Sequence, residues 1–327
     1  MNVFVWIDDA FGIWTIPRVH VERLARDFPA HSFVHAENPE ASLRKVEDAE
    51  VALSPQLTPE HLARAPRLRW VHSPAAGLGA MLFPAMVASP VIMTNSRGIS
   101  ANTIAEHVVA VTLALFRKLP LAVRSQEARV WMQKAMVSPP PIRLIAGSRV
   151  LIVGLGSIGI ATAKLFTALG AHATGIRRNT SAPRPEGVEA VHALNRLRDL
   201  LPAADVVVIS APQTSETEHL IGAAELAAMS PRAVLVNVSR GKLVDEEALA
   251  SAMRAGRIGG AALDVFDTEP LPESSPLWSL PDVMITPHSA GVRPDHWDAV
   301  TDLFAENLRR FTAGQDLLNV VDKNAGY

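Results

Sequence analysis

Three polar residues in the second half of the chain have side chains that can act together on a carbonyl group. Arg240, Glu269 and His288 each stand in a loop position after a predicted strand. A guanidinium can bind a carboxylate and polarise a neighbouring carbonyl. An imidazole can supply or remove a proton near neutral pH, and a glutamate beside it would favour the protonated ring and fix its orientation.

The position of these residues predicts that they meet. In an open α/β sheet, ligands gather at the carboxyl ends of the strands, so three strand ends can converge on one crevice. Each residue taken alone also has an ordinary explanation. Arg240 would be a surface arginine, Glu269 a solvated loop acid, and His288 a loop histidine with its bonds satisfied.

A glycine-rich turn lies between a predicted strand and a predicted helix near the middle of the chain. The apolar run 150–153 enters Gly154-x-Gly156-x-x-Gly159, and a helical pattern follows through Gly170. Gly154 permits the tight turn, Gly156 lets backbone N–H groups approach a pyrophosphate, and Gly159 lets the helix lie close to the strand. The motif predicts a dinucleotide bound at the N-terminus of that helix.

The residues after the next predicted strand indicate which dinucleotide is bound. An NAD site usually has Asp or Glu about twenty residues after the first glycine. Here the strand 173–176 runs into Arg177 and Arg178 instead. Two guanidiniums suit a 2′-phosphate, so the sequence predicts NADP(H), with NAD still possible and a solvated basic turn as the alternative. With a nicotinamide opposite Arg240 and His288, the set can reduce a 2-keto acid to a 2-hydroxy acid.

At these motifs the chain resembles the D-isomer-specific 2-hydroxyacid dehydrogenase family, and within it the glyoxylate/hydroxypyruvate reductase branch. The resemblance spans nearly the whole chain, and its motifs agree in order and spacing. They are the glycine turn, Asn237-Val238-Ser239-Arg240-Gly241, Leu263-Asp264-Val265-Phe266-Asp267-Thr268-Glu269-Pro270, and Pro287-His288-Ser289-Ala290-Gly291.

The resemblance implies a role for each residue of the site. Arg240 would bind the substrate carboxylate and carbonyl, His288 would donate the proton in reduction, and Glu269 would be its hydrogen-bonded partner. Hydride would pass from nicotinamide C4 to the carbonyl carbon. Asp264 would contact the nicotinamide carboxamide, although it is equally placed to cap its strand. The other implied cofactor contacts are Ser157 and Ile158 at the pyrophosphate and Ala211, Pro212 and Val238 along the cofactor cleft.

The resemblance also implies a substrate-binding turn in the first half and a second subunit. The matching turn spans 72–79, where backbone N–H groups near Ala76, Gly77 and Leu78 would hold the substrate carboxylate. By its residues alone this is a loop of small side chains. Residues 105–115 are apolar on more than one face, which a homodimer would explain. Trp131 matches an aromatic residue that can reach the partner's active site, or it is a plain interface residue.

Strand-like and helix-like segments alternate along the chain, which predicts an α/β fold with parallel sheets covered on both faces. We expect two doubly wound domains: a flavodoxin-like substrate domain at 1–98 plus 292–327, and a Rossmann dinucleotide-binding domain at 99–291. Residues 295–311 read as one amphipathic helix. The predicted strands are 3–7, 32–35, 50–53, 68–72, 91–94, 150–153, 173–176, 206–210, 234–238, 261–265 and 283–286.

Composition narrows the class of protein. The 327 residues carry a formal charge of −2 and no basic tract, which argues against a nucleic-acid partner. The absence of cysteine excludes disulfides and thiolate chemistry and is compatible with a cytoplasmic location. We expect no signal peptide, and the apolar run 108–116 is too short to span a bilayer. The histidine spacing predicts no metal site.

Two other functions fit parts of this pattern. A non-catalytic NAD(P)-binding sensor or corepressor would use the same fold, although the complete set of Arg240, Glu269 and His288 disfavours it. A bulkier keto acid or a phosphorylated hydroxy acid would be a different substrate for the same chemistry. A phosphate should require extra cations near the substrate turn, where the residues Leu78, Met81, Leu82 and Phe83 are apolar.

Overall fold

The computed structural model describes residues 1–9 and 14–326, in which strands and helices alternate along most of the chain. The strands are β1 (Asn2–Val5), β2 (Ser32–His35), β3 (Val51–Leu53), β4 (Trp70–Ser73), β5 (Ile92–Asn95), β6 (Arg149–Val153), β7 (His172–Ile176), β8 (Ala190–His192), β9 (Val206–Ile209), β10 (Val234–Asn237), β11 (Gly260–Leu263) and β12 (Val283–Ile285). The helices are α1 (Arg18–Asp27), α2 (Pro39–Lys45), α3 (Pro59–Arg64), α4 (Pro84–Ala88), α5 (Ala101–Phe116), α6 (Leu119–Glu127), α7 (Gln133–Val137), α8 (Ser157–Ala168), α9 (Leu197–Leu200), α10 (Ala223–Ala228), α11 (Glu246–Arg254) and α12 (His296–Thr312).

The chain divides into two compact units. One unit comprises Met1–Ile99 and Arg293–Tyr327, and the other comprises Ser100–Val292. Each unit has its own parallel sheet and its own pair of hydrophobic cores. The division is discontinuous because α12 packs against α1 in the first unit.

The first unit is built on a five-stranded sheet in the order β2-β1-β3-β4-β5, with every pairing parallel. Side chains alternate across β1 and its extension, so that Val3 and Val5 enter one core while Phe4 and Trp6 enter the other. Burial on both faces explains why these strands read as continuous apolar runs. The order is that of flavodoxin-like folds, which confirms the fold class expected for this unit.

The second unit contains a seven-stranded parallel sheet in the order β12-β11-β10-β9-β6-β7-β8. Strand β6 lies between β7 and β9, so the connections run in opposite directions from this point, as in a Rossmann fold. Val150 and Ile152 face one core, and Leu151 and Val153 face the other. The expected Rossmann architecture is therefore confirmed.

The predicted strands are all present, but the edge strand β8 was missed. Its three residues are only half-buried, and such a short run carries no periodic signal. Helix α11 begins after Asp245, whose carboxylate accepts a 2.9 Å hydrogen bond from the Ala248 N–H. Within the described ranges, no helix is long and apolar enough to cross a membrane.

Candidate active site

The three predicted catalytic residues follow three neighbouring strands. Arg240 follows β10, Glu269 follows β11 and His288 follows β12, and these strands pair in parallel register. The carboxyl ends of the three strands therefore lie side by side at one edge of the sheet. Residues that are far apart in the chain thus follow strands that are neighbours in the sheet.

Glu269 and His288 are in direct contact. Oε2 of Glu269 lies 2.7 Å from Nδ1 of His288, while Oε1 accepts a 2.9 Å hydrogen bond from the Phe266 N–H. The side chains are 35% and 51% exposed, so solvent screens the attraction and the pair contributes little to stability. The contact instead orients the imidazole, because Glu269 occupies Nδ1 and Nε2 points away from Glu269.

The loop that carries His288 is held by a buried carboxylate. Asp264 is 2% exposed, and its two oxygens accept hydrogen bonds from the N–H groups of Ser289 and Ala290 and from the Thr286 hydroxyl, at 2.6 to 3.0 Å. His288 itself has a φ of 51°, a left-handed conformation that costs free energy for a side chain of this kind. Asp264 thus acts as a strand-end cap, and its contact with a nicotinamide stays a prediction.

Arg240 lies in a loop that is held by Asn237, a residue to which the sequence analysis gave no role. Asn237, 1% exposed, donates from Nδ2 to the Arg240 carbonyl at 2.9 Å and accepts from the Ser239 N–H at 3.1 Å. The sequence signals Asn237 as a polar side chain at the end of an apolar strand and as the first residue of the motif that contains Arg240. The half-buried Arg240 guanidinium donates to the Ser239 carbonyl at 2.6 Å.

The Arg240 loop touches the turn that carries Glu269. A Cβ atom on Gly241 would lie 1.9 Å from the carbonyl carbon of Phe266 and 2.2 Å from the nitrogen of Asp267. Only glycine permits this approach of two backbones. The Phe266–Asp267 peptide is therefore the point of contact between the Arg240 loop and the Glu269 turn, and the Glu269–His288 contact adds the third loop.

The glycine turn has the geometry that a pyrophosphate requires. Gly154 has a φ of 104°, and a Cβ atom on Gly159 would lie 2.1 Å from the Gly154 carbonyl oxygen, so the helix packs directly on the turn. Helix α8 begins at Ser157, and Gly156 before it provides no side-chain cap. No side chain caps the N–H groups of the first helical turn, which suits them to bind the two phosphates of a dinucleotide.

The remaining predicted cofactor residues lie near this turn in the sheet. Ala211 and Pro212 follow β9, which pairs with β6, and Val238 follows β10 on the other side of β9. Ala211 and Val238 are buried and Pro212 is exposed. The Ser239 hydroxyl donates to the Ala211 carbonyl, which joins the two loops.

The two arginines after β7 have different environments. Nη2 of Arg177 donates to the carbonyls of Ala182 and, at 3.0 Å, Pro183, and its Nε is buried without a partner in the part of the chain that the structure describes. Arg178 is exposed and pairs with Glu216 at 3.3 Å. Arg177 thus holds its own loop, while Arg178 presents a guanidinium at the surface.

The predicted substrate turn belongs to the first unit and is held through its carbonyls. The Ala76 carbonyl accepts from Asn95 Nδ2 at 2.6 Å, and the Ala75 carbonyl accepts from the Ser96 N–H at 3.3 Å. Among residues 1–9 and 14–326, the backbone N–H groups of Ala76, Gly77 and Leu78 donate to no protein acceptor. Such N–H groups are suited to an anion.

The first residue of the 72–79 segment is a buried histidine, to which the sequence analysis gave no role of its own. His72 is fully buried, with Nδ1 2.7 Å from the Thr94 hydroxyl and Nε2 3.1 Å from the Ser96 hydroxyl. Burial lowers the pKa of His72 to about 3, so the ring is neutral. The Ser96 hydroxyl in turn donates to the Ser73 carbonyl at 3.1 Å, which ties His72 to the start of the turn.

Comparison with known proteins places this architecture in a family. Residues 109–290 match the family model for the NAD binding domain of D-isomer specific 2-hydroxyacid dehydrogenases. The chain is 33% identical over 291 residues to a glyoxylate reductase of Thermococcus gammatolerans, covering 87% of this chain and 86% of that protein.

Solved structures agree over the full length. A D-isomer specific 2-hydroxyacid dehydrogenase of Xanthobacter autotrophicus Py2, in complex with NADPH and MES, has a TM-score of 0.85 at 31% identity and covers 100% and 99% of the two chains. An NADPH-dependent glyoxylate/hydroxypyruvate reductase of Sinorhizobium meliloti, in complex with NADP and sulfate, has a TM-score of 0.83 at 26% identity and the same coverage.

The fold and the site together define a dinucleotide-dependent oxidoreductase that acts on CH–OH groups. The chain belongs to the D-isomer specific 2-hydroxyacid dehydrogenase family.

Proposed function

We propose that this protein reduces a small 2-keto acid, of the size of glyoxylate or hydroxypyruvate, to the D-2-hydroxy acid with NADPH. The observation that carries the proposal is the contact of Glu269 with Nδ1 of His288 at the edge of the sheet that also bears the glycine turn. The similarity to glyoxylate reductases supports the choice of substrate class.

Each side chain has one task in this reaction. Arg240 binds the substrate carboxylate and polarises the adjacent carbonyl, which stabilises the negative charge that develops on its oxygen. His288 donates a proton from Nε2 to that oxygen, and Glu269 keeps the ring oriented and balances its charge. Bound NADPH supplies the hydride that reduces the carbonyl carbon. Asp264 holds the His288 loop and is proposed to contact the carboxamide.

The glycine turn and the residues around it would hold the cofactor. Backbone N–H groups at Gly156, Ser157 and Ile158 bind the pyrophosphate in this proposal, with Gly154 and Gly159 shaping the turn. Ala211, Pro212 and Val238 line the cofactor cleft.

The choice of NADPH over NADH rests on the basic edge after β7. The exposed guanidinium of Arg178 would exchange its pairing with Glu216 for the 2′-phosphate, and Arg177 would hold the loop. The similar enzymes from Xanthobacter autotrophicus and Sinorhizobium meliloti were crystallised with NADPH or NADP.

The substrate turn would contribute the N–H groups of Ala76, Gly77 and Leu78 to carboxylate binding. The side chains of Leu78 in the turn and of Met81 after it are apolar and buried, so they offer no charge to a phosphate. We regard a phosphorylated hydroxy acid as a poorer substrate because its phosphate would need cations here.

We also propose that the protein is a cytoplasmic homodimer. Several large apolar side chains are exposed along and after α6, and a second copy would bury them. They are Leu119 at 48%, Val123 at 53%, Trp131 at 89% and Val137 at 70% exposure. Light scattering on purified protein tests the dimer, and a monomer at micromolar concentration would contradict it.

A turnover assay tests the enzymatic proposal. Glyoxylate, hydroxypyruvate, a bulky aliphatic 2-keto acid and a phosphorylated 2-keto acid should each be offered with NADPH and with NADH. We expect the highest kcat/KM for one of the two small acids with NADPH. Protein that binds NADPH but reduces none of the four acids would instead be a sensor or corepressor.

A further inference from the structure

A second carboxylate lies behind the Glu269–His288 pair. Glu246, the first residue of α11, accepts a 2.7 Å hydrogen bond through Oε1 from the Asp267 N–H. The neighbouring amide, the Phe266 N–H, donates to Glu269 at 2.9 Å. Two successive backbone N–H groups in one turn are thus bound by two different glutamates.

This turn is the contact point between the parts of the site. The Phe266–Asp267 peptide packs on Gly241, next to Arg240, at a distance that excludes any side chain there. A rotation of that peptide would push the Phe266 carbonyl against the Arg240 loop at Gly241. It would also change the backbone torsion at Phe266, and so disturb the adjacent Val265–Phe266 peptide, whose N–H donates to Glu269. A group that holds this peptide in place therefore holds both Glu269 and the Arg240 loop in place.

Burial raises the pKa of Glu246, and the nearby charges of Asp267 and Glu269 raise it further, while the hydrogen bond from the Asp267 N–H opposes the shift. The hydrogen bond from the Asp267 N–H therefore stabilises the Glu246 carboxylate in surroundings that otherwise disfavour its charge. Its neighbour Glu247, in the same helical turn, is instead exposed to solvent.

We propose that Glu246 is a positioning residue for the reaction: it locks the Phe266–Asp267 peptide and thereby sets Glu269 against His288 and the Arg240 loop against both. The inference rests on the proposed function. Glu246 touches neither substrate nor cofactor in this proposal, and it acts through the backbone that it binds.

The experiment compares three variants of the full chain. Glu246→Ala removes the acceptor of the Asp267 N–H. Glu246→Gln keeps an oxygen acceptor at the same distance and removes the charge. Glu247→Ala removes an equal charge from the same helical turn and is the matched control for effects on the helix.

We expect Glu246→Ala to lower kcat by about tenfold or more, because a misplaced proton donor is penalised in the transition state. Glu246→Gln should restore kcat to within about threefold of the unmodified protein, since the hydrogen bond is the feature that matters. The KM for NADPH should not change in either variant, and the solvent isotope effect on kcat should rise only in Glu246→Ala.

Three outcomes would overturn the inference while leaving the proposed function intact: equal kcat values for Glu246→Ala and Glu247→Ala, a loss in Glu246→Ala that Glu246→Gln does not restore, or an unchanged isotope effect. The thermal midpoints of the variants show whether a loss of kcat merely follows a loss of folding. Absence of turnover in the unmodified protein would refute the proposed function itself.

Discussion

Glu269 and His288 lie 19 positions apart in the chain, and their Oε2 and Nδ1 atoms lie 2.7 Å apart in the structure. The contact sets the imidazole with Nδ1 occupied, so that Nε2 is the nitrogen left to face a substrate. A similar pair in the same unit, His172 with Glu189 at 2.6 Å, is also exposed on the surface. We assign that pair no role in the reaction. The pair alone is therefore not the site; its position at the sheet edge makes it one.

Replacing His288 should remove the proton donor. We expect His288→Ala to lower kcat by about 10² to 10⁴-fold, the usual contribution of general acid catalysis. Steady-state kinetics with glyoxylate and NADPH measures this loss. His172→Ala, which breaks the surface His–Glu pair, is the matched control and should retain activity; an equal effect of the two changes would remove His288 from the mechanism.

Arg240→Ala should abolish turnover without abolishing cofactor binding. The guanidinium is assigned to the substrate, and the glycine turn holds the dinucleotide independently of it. Fluorescence titration with NADPH and an activity assay on the same sample separate the two. Arg240→Lys should recover only part of the activity because an ammonium lacks the planar pair of donors. Normal turnover in Arg240→Ala would contradict the assignment, and Arg196→Ala, on an exposed arginine, is the control.

Substitutions of the two arginines after β7 should have different effects on cofactor preference and on thermal stability. Arg178→Ala should reduce the preference for NADPH over NADH by roughly tenfold, as expected for a charge-assisted contact worth about 1.5 kcal/mol or more. Arg177→Ala should also lower the thermal midpoint, since its guanidinium binds the carbonyls of Ala182 and Pro183. Substituting both should weaken NADPH most. An unchanged ratio of kcat/KM for the two cofactors in the double variant would end the proposal.

His72 should make folding stability depend on pH. Its folded pKa of about 3 lies below the ordinary value of 6.5, so between these values the unfolded chain takes up a proton that the folded chain refuses. His72 therefore leaves the free energy of unfolding unaffected above pH 6.5. As the pH drops towards 3, this residue lowers it by up to about 1.4 kcal/mol per pH unit.

The measurement is the free energy of unfolding at several pH values for the unmodified protein and for His72→Gln. Burial also lowers the pKa of His31, His35, His61 and His296, so the unmodified protein carries their contributions as well. The difference between the two proteins isolates His72. We expect a shallower slope in His72→Gln between pH 6.5 and 5, and parallel curves would show that His72 contributes nothing.

Much of the fold followed from local patterns. Strands such as β6 and β9 are buried on both faces and are therefore recognisable as apolar runs in the sequence. The Gly154 turn is recognisable by its glycine spacing between a strand and a helix. The edge strand β8 could not be read, because three half-buried residues carry no period. Prediction succeeded where burial or a turn constrains the residue types themselves.

Residue types alone predict that Arg240, Glu269 and His288 follow parallel strands, whose carboxyl ends lie at one edge of the sheet. The way in which these residues are held is visible only in the folded chain: His288 has a φ of 51°, Asp264 binds its loop, and Glu246 binds the Phe266–Asp267 peptide. The physical reason is that these bonds join backbone groups of loops distant in the chain. Backbone groups are the same in every residue, so no spacing of residue types records which of them will pair.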